Sequence, residues 1–370
     1  MPPKWPIACF AVIALAIPAR AMPAAPPAPD EVVQASLDAF TPRPDGRDHR
    51  LDYSVWTEAL RNYVVSMGPP LRKMPISPDG PSGTRMKIGP TSMYRSDGTM
   101  IGYALIDREV MANIARYRQE LQAVADTLDI QALPRNEQLA FWINLHNVAM
   151  VEKIGENWPV RQPREIDMDG GPLEDARFIM VRGIALSPRD IRERIVFAHW
   201  KNPKVIYGFW RGEIGGPALQ REAFDGRLIA NQLDLAAWEF TNSRRGVEKR
   251  GDTLHVSRLY AEVAPFYFRD FEPDLRAHLR SFVEGKVTEM LDETAFTKAS
   301  LFEYDIADLS GGRRTNPFFA SGRLDAGIVR ILNERARKFD LMRRRDIPTF
   351  SITFSNIDLP GDPPNKGEVE

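Results

Sequence analysis

One stretch constrains this chain more than any other: Leu133-Pro134-Arg135-Asn136-Glu137-Gln138-Leu139-Ala140-Phe141-Trp142-Ile143-Asn144-Leu145-His146-Asn147-Val148-Ala149-Met150. Pro134 suits the first turn of a helix, where a missing N–H costs least. At about 100° per residue, Leu139, Ile143, Met150 and Ile154 share one face. Phe141, Leu145 and Val148 lie opposite, with Trp142 and Ala149 between. A helix apolar on nearly every side is a buried helix, so the rest of the chain must wrap it. Asn144, His146 and Asn147 fall inside that apolar surround, and each needs a hydrogen-bond partner once water is excluded. Two readings stand: core polar groups that pin neighbouring loops, or side chains that face a pocket and hold a site.

The 370 residues leave room for such a wrapping, as one large or two ordinary domains. A net charge of −1 gives no global field to attract nucleic acid or an anionic membrane, so no nucleic-acid partner is expected. Met1 to Trp5 is a short basic start, an apolar run follows over residues 7–17, and Ala19-Arg20-Ala21 offers small residues where a signal peptidase reads. Residues 1–21 are therefore read as a signal peptide, which places the protein in the periplasm or outside the cell. No other apolar stretch approaches the length of a transmembrane segment. Cys9 is the single cysteine and leaves with the signal, so the mature chain has no disulfide, no thiolate metal site and no cysteine nucleophile.

Residues 22–50 are rich in Pro and Ala and read as a tether. A first helix is expected over 51–65, a long loop over 68–90, and a strong amphipathic helix through Val110, Ile114, Tyr117, Leu121, Val124 and Leu128, packed on the buried helix. The acidic stretch 164–177 lacks the ligand spacing of a calcium loop and reads as a solvated turn. A short strand is expected at 178–181. Ser187-Pro188-Arg189-Asp190 is a helix start, with Ser at the N-cap and Asp at the third position. Residues 204–210 form a continuous β-favouring run, predicted as a buried strand. The run ends in Arg211-Gly212-Glu213-Ile214-Gly215-Gly216-Pro217, where glycine lets backbone approach either a ligand or another segment. Further on, the patterning predicts a helix over 225–241, a strand over 253–257, an aromatic core stripe over 259–268 and a helix through Leu275, Leu279 and Phe282. A strand over 302–306, a basic helix around Ile328 to Phe339 and a strand over 349–354 complete the reading.

The segment 140–147 resembles the AFWINAYN signature of the domain of unknown function 547 family. Leu186 to Ile191 is similar to that family's SLDDIEH segment, Asn202 to Phe209 to its DPRIHFAL strand, and Pro217-Ala218-Leu219 to its PPL. Val256 to Tyr260 and Asp270-Phe271 resemble its VSKIF and DF, and Tyr304-Asp305 the start of its YDWSLN strand. The resemblance covers about residues 52–310. It implies an α+β fold related to papain-like cysteine hydrolases, with the central buried helix packed on a small, mostly antiparallel sheet. The core would span 51–310, with a helical and strand extension over 311–370. The family's candidate nucleophiles are two cysteines and its candidate partners two histidines. Here Arg211 and Gly216 stand at the cysteine positions, Glu193 and Ile206 at the histidine positions, and Trp210 where an asparagine would precede the first cysteine.

These departures exclude a thiolate mechanism, which needs both a thiol and a nearby base. The expectation is an exported pseudoenzyme that binds a small anionic ligand, a peptide or a partner protein, with Asn144, Asn147, Arg211 and Glu213 as binding residues. The alternative is a hydrolase or transferase rebuilt on His146 and Glu193, acting through water. A third reading makes Arg211 part of a structural ion pair in a closed cleft. His199, His255 and His278 have no ligand spacing to one another, and neither a metal nor another cofactor is expected.

Overall fold

The computed structural model describes residues 37–72, 89–169, 171–314, 320–321, 324–347 and 369. The fold is α+β, with helices predominant and small, mostly antiparallel sheets. Helix α1 (Ser54–Tyr63) runs into strand β1 (Val64–Ser66), which pairs antiparallel with β2 (Thr99–Ile101). Helix α2 (Arg108–Thr127) begins at Asp107, whose side chain accepts from the backbone N–H of Val110. It turns Ile114, Leu121 and Ala125 inward. Helix α3 (Arg135–Glu156) follows Pro134, whose carbonyl accepts from Glu137 and Gln138. It is the buried helix of the sequence, and every residue from Glu137 to Glu152 is buried. Arg118 of α2 and Glu152 of α3, both buried, meet in a bidentate ion pair that fixes the two helices side by side.

Two hairpins follow, β3 (Asp167–Met168) with β4 (Gly171–Pro172) and β5 (Ile179–Val181) with β6 (Ile184–Leu186). At the next helix start Ser187 Oγ accepts from Asp190 N at 3.0 Å, and the Asp190 carboxylate accepts from Ser187 N at 3.1 Å. This reciprocal cap opens a π-helical stretch, Asp190–Val196, continued by one α turn, Phe197–His199. A 3₁₀ helix (Pro203–Gly208) comes next, then α4 (Ile229–Asn242) and the sheet of β7 (Val247–Arg250), β8 (Thr253–Ser257) and β9 (Phe296–Leu301). Strand β8 pairs antiparallel with β7 and parallel with β9. Between β8 and β9 lie α5 (Arg258–Tyr267), α6 (Phe271–Arg280) and α7 (Gly285–Asp292). A last hairpin, β10 (Ala320–Ser321) with β11 (Leu324–Asp325), leads into α8 (Ala326–Arg344). That helix docks on the core through Ile328, Ile331, Met342 and the buried Lys338, whose ammonium donates to the Ser96 carbonyl at 2.7 Å. No helix among the described residues is long and apolar enough to cross a membrane.

Several expectations need correction. Residues 204–210 are not a strand, because Asn202 caps Lys204 N and Pro203 presets a helical turn, giving the 3₁₀ helix with Val205, Ile206 and Tyr207 buried. Residues 302–306 are not a strand either: β9 ends at Leu301, and past it Ile306 forms one isolated bridge to Glu213. The expected tether is anchored in its last part, since Leu37 and Phe40 are buried and the Phe40 ring meets Trp142 edge-on at 5.1 Å. The central helix packs chiefly on α2, the π-helical stretch and α4 rather than on a sheet. The signal segment, most of the loop 68–90 and the expected strand at 349–354 lie outside the described residues.

Candidate functional site

The polar side chains of α3 are fastened to the segments that wrap it. Asn144 donates to the Phe224 carbonyl at 2.8 Å and accepts from Phe224 N at 3.0 Å. Asn147 does the same for the loop after the 3₁₀ helix, donating to Gly208 O at 2.8 Å and accepting from Trp210 N at 3.0 Å. In both cases one amide replaces a whole strand partner, satisfying buried backbone where no sheet reaches.

His146 is fully buried. Its Nδ1 lies 3.0 Å from Asn147 Oδ1 and its Nε2 3.1 Å from a guanidinium nitrogen of Arg192. The Asn oxygen accepts and the guanidinium donates, so Nδ1 carries the proton and Nε2 is the acceptor. Burial, reinforced by the Arg192 charge, holds the imidazole down at about 3, and it stays neutral. Arg192 also donates to Glu174 at 2.7 Å. The second Glu174 oxygen accepts from Arg211 Nε, and Arg211 reaches Glu262 of α5 at 2.6 Å. Burial alone would raise the Glu174 carboxyl, but Arg192 and Arg211 outweigh it and hold it well below the carboxylate range. Burial works against the Arg211 charge too, and Glu174 and Glu262 more than restore it. Two guanidiniums and two carboxylates thus cancel within one chain of contacts that runs from α3 to α5.

Arg211 and Glu213 leave the protein interior at a cleft of about 30 Å³, also lined by Gly215, Gly216, Ser257 and Glu303. The glycine-rich loop approaches another segment: Gly215 N donates to Glu303 O at 3.0 Å, and a Cβ on Gly215 would stand 2.6 Å from that backbone. Beside Gly216, by contrast, there is room. Burial pushes the Glu213 carboxyl up to about 7 against the pull of Arg211, and Arg164 lies 3.6 Å from it. The rim is a four-layer stack. Arg164 lies over the Tyr304 ring at 3.2 Å, Tyr304 stacks on Phe302 at 5.1 Å, and Arg258 covers Phe302 at 4.1 Å. Arg258 donates to the Tyr304 hydroxyl and is exposed, with no carboxylate partner among the described residues.

The structure therefore brings His146, Asn147, Arg211 and Glu213 into one connected region and sends Asn144 to a separate clamp. Glu193 does not join His146; it lies at the surface, paired with Arg189 at 3.3 Å. Sequence reasoning missed Glu174, Arg192, Glu262 and Arg258. Glu174 was visible as one of several acids in a stretch read as a solvated turn, and Arg192 as the neighbour of Glu193. Nothing in the sequence singled out Glu262 or Arg258. Among the described residues no group of three or more His, Cys, Asp or Glu is placed to hold a metal ion.

Fold and cluster together define an α+β protein whose buried central helix carries an Asn-x-His-Asn clamp joined to a neutralised Arg–Glu chain. Residues 130–241 match the family model described as "Protein of unknown function, DUF547", and this part of the chain belongs to that family. The match holds both Asn clamps, His146, Glu174, Arg192, Arg211 and Glu213, whereas Glu262 and the rim residues Arg258, Phe302 and Tyr304 lie beyond it. No curated protein and no solved structure matches the chain.

Proposed function

We propose that this chain is an exported, non-catalytic member of its family that binds the anionic end of a small molecule, peptide or partner protein at the cleft beside Arg211, Glu213 and Gly216. The observation that carries this reading is a contrast between two cations. Arg211 is paired with both Glu174 and Glu262, while Arg258 at the rim is exposed, stacked on Phe302 and free of a carboxylate among the described residues. Arg258 is thus the anion receptor and Arg211 its support. A cavity of about 30 Å³ accepts an end-group rather than a whole molecule, since one water's share of liquid is about 30 Å³. Non-catalytic status is supported by His146, whose two ring nitrogens are both engaged in a fully buried position. Export rests on the basic start, the apolar run and the small residues at Ala19 and Ala21.

The test is calorimetric titration with acetylated tripeptides that end in a free carboxylate or a carboxamide. The carboxylate form should bind, the amide form should not, and Arg258→Ala should abolish the difference. Equal binding of both forms, or an unaffected Arg258→Ala, would sink the assignment. The rival, a hydrolase or transferase working through water, draws support from Glu213, which gains and loses its proton near neutral pH beside the cleft. Ester or amide turnover with a pH profile that vanishes in Glu213→Gln would favour that rival.

A further inference from the structure

A second cleft, of about 600 Å³, opens beside the C-terminal end of α3 and is lined by Tyr103, Arg108, Glu156, Trp158, Arg313 and Arg314 among others. Its walls share one buried anchor. Asp308 is fully buried, and its carboxylate accepts from Tyr103 N at 3.1 Å, Trp158 Nε1 at 3.4 Å, Ser310 N at 3.1 Å, Gly312 N at 2.9 Å and the Ser310 hydroxyl. One side chain therefore ties together the turn that precedes α2, the indole that follows α3 and the segment that delivers Arg313 and Arg314. Gly312 is required in that segment, with φ +69° and a Cβ position only 1.9 Å from the Val160 carbonyl. The Arg314 guanidinium lies 5.4 Å from the Trp158 ring centroid.

The carboxylates in this cleft are already occupied. Asp107 and Asp325 cap helix starts, accepting from Val110 N at 2.9 Å and Gly327 N at 2.6 Å, and Glu156 pairs with Lys153 at 2.7 Å. Arg108, Arg313 and Arg314 are exposed and have no carboxylate partner among the described residues. Solvated surface arginines are the ordinary alternative. What separates these three is that they line one concavity, next to an indole held by a buried carboxylate. The volume lies in the range of about 300–1,000 Å³ common to small-molecule sites.

We infer that this cleft binds a phosphorylated small molecule that carries a planar ring, with Arg108, Arg313 and Arg314 on the phosphate and Trp158 against the ring. A phosphate dianion presents three acceptor oxygens and suits several guanidiniums better than a single carboxylate does. The indole supplies the flat apolar contact for the ring.

Calorimetric titration of the full chain at low salt tests this, with phenyl phosphate and inorganic phosphate as the two probes. Phenyl phosphate should bind about two- to tenfold more tightly than inorganic phosphate, the size of effect one aromatic contact gives. Trp158→Leu should erase that preference. The double variant Arg313→Ala/Arg314→Ala should weaken both probes about tenfold or more, as loss of charge-assisted hydrogen bonds requires. Arg258→Ala should leave both unchanged, which separates this site from the cleft beside Glu213. If a melting curve shows that the double variant has lost stability, the single exposed Arg108→Ala takes its place and should weaken both probes. No heat from phenyl phosphate at millimolar concentration, or wild-type affinity in the double variant and in Arg108→Ala, would overturn the inference.

Discussion

The two arginine clusters of this molecule use the same side chain for opposite ends. Arg192 and Arg211 are drawn inward, and each meets a carboxylate, so the cluster is neutral and closed. Arg108, Arg313 and Arg314 line an open concavity whose carboxylates are committed to helix caps or to Lys153. The difference teaches how to read an arginine at the edge of a cleft. A guanidinium cannot give up its proton, so its role is decided by what already holds it. Held on both sides, it is part of the framework; with its donors free in a concavity, it is a receptor.

Four substitutions break or sharpen that contrast, and the largest effect falls in the closed cluster. Glu174→Gln leaves the buried Arg192 without its paired carboxylate and Arg211 with Glu262 alone, and should cost about 3–5 kcal/mol in urea unfolding, as breaking a buried pair does. Asn147→Ala strips acceptor and donor from the loop at Gly208 and Trp210 and from His146, and should cost about 2–3 kcal/mol by the same measurement. Glu213→Gln acts through pH. With its carboxyl at about 7 instead of the usual 4.5, the folded protein binds more protons than the unfolded chain between those values. Wild-type stability should therefore fall as pH rises through that window, and the variant should be flatter and more stable at pH 8 by about 1–3 kcal/mol. A variant with the wild-type pH slope would mean that Glu213 is solvated. Arg258→Ala should shift stability by no more than about 0.5 kcal/mol, because the side chain is exposed, while removing carboxylate binding.

Much of the framework was legible in the chain. Apolar residues on every side of 133–150 could only mean a buried helix, and Asn144 and Asn147 inside it had to find partners; both clamp backbone. Ser187 with Asp190 announced a capped helix start, and the cap is there. What followed was not legible, because the helix opens in π form. Hydrogen bonds that close at i+5 change which residue faces inward, so Arg192 meets His146 while Glu193 turns to the surface. The segment 204–210 misled for a different reason. Its β-favouring residues describe burial on all sides, and Asn202 and Pro203 decided the backbone instead. Glu262 pairs with Arg211 across 51 positions, a contact that no local pattern encodes.

The most direct test of this account is urea unfolding of Arg211→Met at pH 7, run beside titration of the folded variant with the carboxylate tripeptide. The account predicts a loss of about 2–4 kcal/mol, because Glu174 and Glu262 lose their shared cation, with tripeptide binding retained through Arg258. Wild-type stability together with abolished binding would contradict it, and would make Arg211 the receptor rather than the frame.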